Sequence, residues 1–245
     1  MIYPVYPVNP VKFIIIFSYF LYILSWLIKR SFMIIIKTNL ENPEPEDYIQ
    51  IVDTLEKGGV VAMPTDSVYG LICDAENVDA IKRVYQMKER PEEKPFLILI
   101  TPLFNLSDYV ELVDEGVQKL INNFWPGPLT IIFHRKKGVL DHISEDDSIA
   151  IRMPKSHFLW MIIDSVKKPI IAPSANLSNK PPASNAEMVI DNFGDKVDLL
   201  VDGGESVEKI PSTIIDVRTF PYKIVRQGII SLDNFQSIYG IEIKN

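Results

Sequence analysis

The sequence predicts an α/β fold, a mixed sheet covered by helices, and three observations predict it. Short apolar runs of strand character alternate with stretches whose apolar residues recur at helical spacing. In the last third of the chain, strand-like runs follow one another with no helix between them, which purely parallel pairing does not permit. Neither a repeat nor a low-complexity linker interrupts the pattern after residue 32.

Composition agrees. The 245 residues are 47% hydrophobic and 23% charged, enough for one domain or a tight pair with a buried core, and not the composition of a disordered chain. A single cysteine, Cys73, excludes a disulfide framework and a four-cysteine zinc site. The 25 Lys and Arg against 32 Asp and Glu give −7, but residues 1–32 carry Lys12, Lys29 and Arg30 and no acid. The remainder holds 22 basic and 32 acidic groups, a net of −10, which argues against a protein that coats nucleic acid.

The elements follow in order. Residues 13–28 are an apolar leader of sixteen uncharged residues, just short of the roughly 17 at the lower end for a membrane-spanning helix. Lys29-Arg30 follow at once, which would leave the body on the cytoplasmic side. No small-residue cleavage site follows, against a secretory signal. Met33 opens MIIIKTNLENPEPED, which reads as a strand, a turn and a helix at the start of a soluble protein. The expectation is that 1–32 is an upstream translation of a mis-set start, with a membrane anchor as the alternative. Residues 33–245 are then the functional domain, in the cytoplasm.

A helix over 46–57 is marked by Tyr48, Ile51, Val52 and Leu55 and stopped by Gly58-Gly59. Residues 60–63 are a buried strand ending at Pro64. Asn77 caps a helix to about Arg90. Residues 96–100 are a strand, 114–124 a helix, 129–133 a strand just after Trp125-Pro126-Gly127-Pro128, and 149–153 another strand. Ser156 caps a helix to about Val166, and 170–172 is a strand. A helix near 186–193 precedes strands near 199–201, 213–217 and 223–226 and a last helix over about 232–239. Prolines gather where strands end, a mark of rigid loops around a site.

Four strand ends carry polar residues. Pro64-Thr65-Asp66-Ser67-Val68-Tyr69-Gly70-Leu71 offers hydroxyls to a small polar ligand, or is only a side-chain-capped turn. Lys88-Glu89-Arg90-Pro91 puts two cations at a helix end, where they offset the dipole or, turned inward by the proline, bind a polyphosphate. Pro173-Ser174-Ala175-Asn176 aims hydroxyl, amide and backbone N–H donors at an anion, or is an Asx turn. Pro211-Ser212-Thr213-Ile214 with Arg226-Gln227-Gly228 is the fourth, and Arg152 ends a further apolar strand, where an unpaired guanidinium would be costly. There is no P-loop, GxGxxG, GxSxG or HExxH pattern. His134, His142 and His157 are scattered and read as surface or structural, Cys73 reads as buried packing, and no metal site is expected.

These segments, together with Trp125-Pro126-Gly127-Pro128-Leu129-Thr130 and Ala150-Ile151-Arg152-Met153-Pro154, occur in the order seen in the YrdC/TsaC family, which the sequence resembles from about Met33 onward. The resemblance implies a single YrdC/RibB-like domain, a twisted mixed sheet flanked by helices around a basic cavity, in the short form without the extra C-terminal domain of longer relatives. It implies a threonylcarbamoyl-AMP synthase, a nucleotidyltransferase. Bicarbonate and L-threonine give a carbamate that attacks the α-phosphate of ATP, and the product feeds a separate complex that modifies tRNA adenosine to threonylcarbamoyladenosine. Carried over position by position, Lys88 and Arg90 are the catalytic pair on the triphosphate. Ser174, Asn176 and Arg226 help bind ATP, and Thr65, Thr130, Arg152 and Ser212 serve threonine. Magnesium would be carried by the phosphates, since the motifs hold few acids besides Asp66. Ser67 stands where the family more often has Thr, Leu99 where some members have His, and Asn179 where Gly is usual. Pro182-Ala183-Ser184 is an imperfect form of the family's Ser-Pro-Thr.

Two rival readings are a YciO-like nucleotide-binding paralogue of different activity and an RNA-binding module using the basic cavity. The −10 of the body weighs against the second. The carbamoyltransferase of hydrogenase maturation, which shares this domain, needs zinc-finger cysteines that a chain with one cysteine lacks.

Overall fold

The computed structural model describes residues 33–206, 210–238 and 242–244. The apolar leader lies outside the described residues, and among these no helix is long and apolar enough to cross a membrane. Strand β1 (Ile34–Lys37) leads into α1 (Pro45–Glu56), where Pro45 occupies the first turn, a place that needs no N–H donor. Strands β2 (Val61–Pro64) and β3 (Tyr69–Asp74) are buried along their whole length. Helix α2 (Val78–Lys88) starts at Asn77, whose side-chain oxygen accepts the Ala80 N–H, and stops at Glu89 in the left-handed conformation (φ 50°). It therefore ends before Arg90, and the reversal begins at Glu89, ahead of Pro91.

After β4 (Ile98–Leu99) come α3 (Glu115–Phe124), capped by Asp114, then β5 (Leu129–His134) and β6 (Ser148–Arg152). Helix α4 (His157–Val166) is capped by Ser156, and β7 (Ile170–Ile171) and α5 (Ala186–Phe193), capped by Asn185, follow. Each cap accepts a first-turn N–H that otherwise lacks a partner. Strands β8 (Leu199–Asp202), β9 (Thr213–Asp216) and β10 (Tyr222–Arg226), helix α6 (Leu232–Gln236) and strand β11 (Ile243–Lys244) complete the described elements.

The strands join in the order β1-β8-β2-β3-β7-β4-β6-β5-β9-β10-β11. Pairing is mixed as expected: β2 with β3, β6 with β5 and β9 with β10 are antiparallel, whereas β2 with β8, β4 with β6 and β5 with β9 are parallel. Alternation divides the core between the two faces. Val61, Met63 and Ile72 pack with Ile51 and Leu55 of α1 and with Phe158, Leu159, Ile162 and Ile163 of α4. Ala62, Leu71 and Cys73 face the other way, toward residues of α2, α3, α5 and α6. Each fully buried Ile or Leu in these layers contributes about 1.5–3 kcal/mol.

Three elements differ from the sequence reading. β3 was not foreseen, because Gly70 and Asp74 break its apolar pattern, yet it pairs on both sides, with β2 and β7. The strand expected over 96–100 narrows to β4, although Ile100 still donates to the Arg152 carbonyl at 3.1 Å. The last helix ends at Gln236, and residues 239–241 lie outside the described ones.

Candidate functional site

Neighbouring strands from β3 through β7, β4, β6, β5 and β9 to β10 carry the lining of one cavity of about 370 Å³. The period of two explains which residues enter it. Ala150 and Arg152 in β6, Thr130 and Ile132 in β5, and Ser212 and Ile214 at the start of β9 lie two apart and share a face. Register sets them side by side: Leu99 next to Arg152, Ala150 next to Ile132, Thr130 next to Ile214, and Ile214 next to Arg226. The β9–β10 pairing shifts between Ile224 and Arg226, and this irregularity lets both Val225 and Arg226 line the cavity.

Cations dominate the lining: Lys88, Arg90, Lys94, Arg152 and Arg226 against Asp66 and Glu93. Lys88 is 2% exposed. Its ammonium donates to the Asn176 carbonyl at 2.8 Å, to Asn176 Oδ1 at 3.3 Å and to the Ser174 carbonyl, so neutral oxygens alone hold it. Burial, with Arg90 nearby, lowers its pKa to about 7. Arg90 donates from Nε to the Lys94 carbonyl at 2.8 Å and from Nη2 to the Pro95 carbonyl at 3.3 Å, and its guanidinium lies 5.3 Å from the centre of the Phe96 ring. Arg226 donates from Nη2 to the Ser212 carbonyl at 2.8 Å and to Ser212 Oγ at 3.1 Å. Burial lowers the pKa of Arg226, and Arg152 and Arg90 push it the same way. Mutual repulsion of this kind is relieved by an anion.

Arg152 is 5% exposed at the end of β6. Its Nε donates to the Gly127 carbonyl at 3.0 Å, which explains the Trp125-Pro126-Gly127-Pro128 loop: the loop delivers a carbonyl to a buried guanidinium. A Cβ on Gly127 would sit 2.6 Å from the Phe124 carbonyl oxygen. Arg152 Nη1 reaches Ser67 Oγ at 3.4 Å, and Nη2 lies 2.8 Å from Asp66 Oδ2. Burial lowers the Arg152 pKa, and Asp66 opposes it. The hydroxyls form two small groups: Thr65 Oγ1 donates to the Val68 carbonyl and lies 3.1 Å from Ser67 Oγ, and Thr130 Oγ1 lies 2.9 Å from Ser212 Oγ.

Of the residues named from sequence, Thr65, Lys88, Arg90, Thr130, Arg152, Ser174, Ser212 and Arg226 line this cavity. Asn176 is not among the lining residues. It stands behind Lys88 and accepts from the Ser174 hydroxyl at 2.6 Å, so it shapes the turn. Gly228 likewise supports: a Cβ there would meet Pro211 O, Ser212 C and Thr213 N at 2.4 Å, so only glycine lets β10 close on the Ser212 turn. Asn179, at φ 64°, adopts the left-handed region that Asn tolerates best after glycine. The sequence reading gave no role to Lys94, Glu93, Phe96 or Leu97, whose signal was only their closeness to Arg90. Asp66 was visible in its motif, but not its contact with Arg152, 86 residues later. His134 and His142 contact the carbonyls of Arg218 and Ala75, away from this lining, and Cys73 is buried with its thiol pKa pushed up by that burial.

Comparison with known proteins agrees with this arrangement. The family model Sua5/YciO/YrdC, described as "Telomere recombination", matches residues 53–228. The threonylcarbamoyl-AMP synthase of Pyrococcus abyssi is 34% identical over 76% of this chain and 55% of its own length. That of Bacillus subtilis is 34% identical over 78% and 56%. The chain thus spans about half the length of the curated relatives it matches. Among solved structures, P. abyssi Sua5 complexed with L-threonine superposes with a TM-score of 0.80 at 33% identity, covering 86% of this chain and 63% of that one. E. coli YciO gives 0.74 at 28% identity, covering 83% and 98%. The twisted mixed α/β sheet expected from the motifs is therefore the fold of these relatives, and the chain belongs to the Sua5/YciO/YrdC family.

Proposed function

We propose that the chain is an L-threonylcarbamoyladenylate synthase, converting L-threonine, bicarbonate and ATP to threonylcarbamoyl-AMP, pyrophosphate and water. The observation that carries this reading is the convergence of Lys88, Arg90 and Arg226 with the hydroxyls of Thr65, Thr130 and Ser212 and the Arg152 guanidinium in one cavity. The relatives named threonylcarbamoyl-AMP synthase, and the related structure holding L-threonine, support it.

The chemistry asks for no covalent nucleophile. A carbamate oxygen attacks the α-phosphorus and pyrophosphate leaves, so anions must approach one another and charge builds on the leaving group. Lys88, Arg90 and Arg226 supply cationic relief on that side, with Ser174 and the Asn176 turn holding Lys88 in place. Arg152, with Thr65, Thr130 and Ser212 nearby, takes the threonine side. Magnesium fits as an ion carried in on the phosphates, since Asp66 is already committed to Arg152 and Lys155 and Glu93 is the other acid of the lining. The product, a mixed anhydride, is expected to pass in the cytoplasm to a separate tRNA-modifying transferase complex.

The test supplies ATP, L-threonine and bicarbonate and measures pyrophosphate. Release that depends on threonine is expected. Equal release without threonine would overturn the reading in favour of a paralogue that uses the same nucleotide cavity differently.

A further inference from the structure

Arg90 reaches the cavity on a long side chain, and a guanidinium that must meet a polyphosphate loses rotamer freedom on binding unless that freedom is already gone. In this structure it is gone. Nε donates to the Lys94 carbonyl at 2.8 Å and Nη2 to the Pro95 carbonyl at 3.3 Å. The same guanidinium lies 5.3 Å from the centre of the Phe96 ring. Both acceptors belong to the turn after Pro91, which the Lys94 N–H closes by donating to the Pro91 carbonyl at 3.2 Å.

One residue of α2 anchors that turn in its place. Tyr85 is buried, and its ring stacks on Phe96 with the centres 4.1 Å apart. Its hydroxyl donates to the Lys94 carbonyl at 3.2 Å, so Tyr85 and Arg90 share one acceptor. The Tyr85 carbonyl also accepts the Arg90 backbone N–H at 3.1 Å. A buried tyrosine hydroxyl needs an acceptor. That this one takes the oxygen already holding Arg90 is what couples the two rings to the cation. Nη1 makes no hydrogen bond among the described residues, so the fork is fixed on one side and open on the other, as bidentate contact with phosphate oxygens requires. We propose that Tyr85 and Phe96 form an aromatic shelf that orients Arg90 before the polyphosphate arrives, both being positioning residues that act through Arg90. The inference rests on the synthase reading for the identity of the ligand, ATP.

The experiment measures binding of ATP and, separately, of L-threonine to the full chain by calorimetry, in Tyr85→Phe, Phe96→Leu, Arg90→Ala and the two double variants that include Arg90→Ala. Tyr85→Phe and Phe96→Leu are each expected to weaken ATP about three- to tenfold, from the lost hydrogen bond or the lost ring face, and to leave threonine within about twofold. In the Arg90→Ala background each should cost ATP less than about twofold more, because a residue that acts through Arg90 falls silent once Arg90 is gone. ATP and threonine weakened in parallel would make the rings merely structural and overturn the shelf. So would single variants that bind ATP as the wild type does, or double variants that lose as much again as the singles. Should Phe96→Leu fail to melt cooperatively, Tyr85→Phe decides by itself, since it removes one oxygen and keeps the stack. Threonine-dependent pyrophosphate release by the wild type separates the two readings. ATP binding coupled through Arg90 without such release overturns the synthase reading and leaves the shelf standing. Release without that coupling overturns the shelf alone, and a wild type that does not bind ATP overturns both.

Discussion

Lys88 shows how far a residue's chemistry is readable before its surroundings are known. A lysine two positions before Arg90-Pro91 can be read from the chain as a candidate phosphate ligand. That it would be all but removed from water and held by neutral oxygens alone depends on the Ser174–Asn176 turn, 86 to 88 residues away. Burial lowers its pKa from the ordinary 10.5 to about 7. Between those values the unfolded chain binds the proton and the folded one sheds it. Stability from this group therefore rises with pH through that window, and the penalty is complete below about 7. ATP asks for the opposite, the charged form. The expected outcome is an ATP affinity that falls as pH rises through about 7, with proton uptake on binding, read as a buffer-dependent enthalpy. Lys88→Met should flatten that profile and weaken ATP at least about tenfold while its melting temperature holds or rises. A pH profile unchanged in Lys88→Met would show that another group titrates.

At the scale of elements, helices were legible because each carries its own signals: Asn77, Asp114, Ser156 and Asn185 cap the helices that follow them. Strand β3 was not, because Gly70 interrupts its apolar pattern. A Cβ there would approach Thr65 Cγ2 at 3.2 Å, and Gly70 bridges to Ser174, tying the first polar turn to the third. Gly228 plays the same part between β9 and β10. Gly228→Ala forces its methyl against backbone atoms at 2.4 Å, so the Pro211–Ser212 turn must move. The expected cost is about 1–3 kcal/mol of stability, read by thermal melting. Activity should fall much further, toward 10²-fold, because roughly an ångström of displacement carries Ser212 and its partner Arg226 away from the threonine and ATP proposed for them. Retention of full pyrophosphate release would show that the turn adapts. At Asn179 the converse holds. Asn179→Gly should leave stability unchanged, whereas Asn179→Ala loses about 1 kcal/mol at φ 64°.

For the whole molecule, the class of sheet was readable and the strand order was not. β8 inserts between β1 and β2 although more than a hundred residues separate them, and β7 and β4 lie between β3 and β6. Such pairings leave no trace in local periodicity, and it is they that draw four separated polar turns to one cavity. Charge follows the same logic. The acidic balance of the body argues against a broad nucleic-acid face, while five of its cations, Lys88, Arg90, Lys94, Arg152 and Arg226, line the cavity. Salt should separate these two kinds of electrostatics. A surface that neutralises 6–10 phosphates of a nucleic acid loses about 10³–10⁵ in affinity between 50 and 200 mM salt as condensed counterions are released. An enclosed cluster facing one triphosphate is screened less, and its ligand carries no dense counterion layer. ATP affinity is therefore expected to fall by less than about tenfold over that range. tRNA titrated into the ATP-free protein at about 150 mM salt should show no saturable binding, because the repulsion of the acidic exterior reaches about 8 Å beyond the surface there. Tight tRNA binding with a steep salt slope, displaced by ATP, would instead make the cavity the mouth of a nucleic-acid groove and reverse the assignment of its cations.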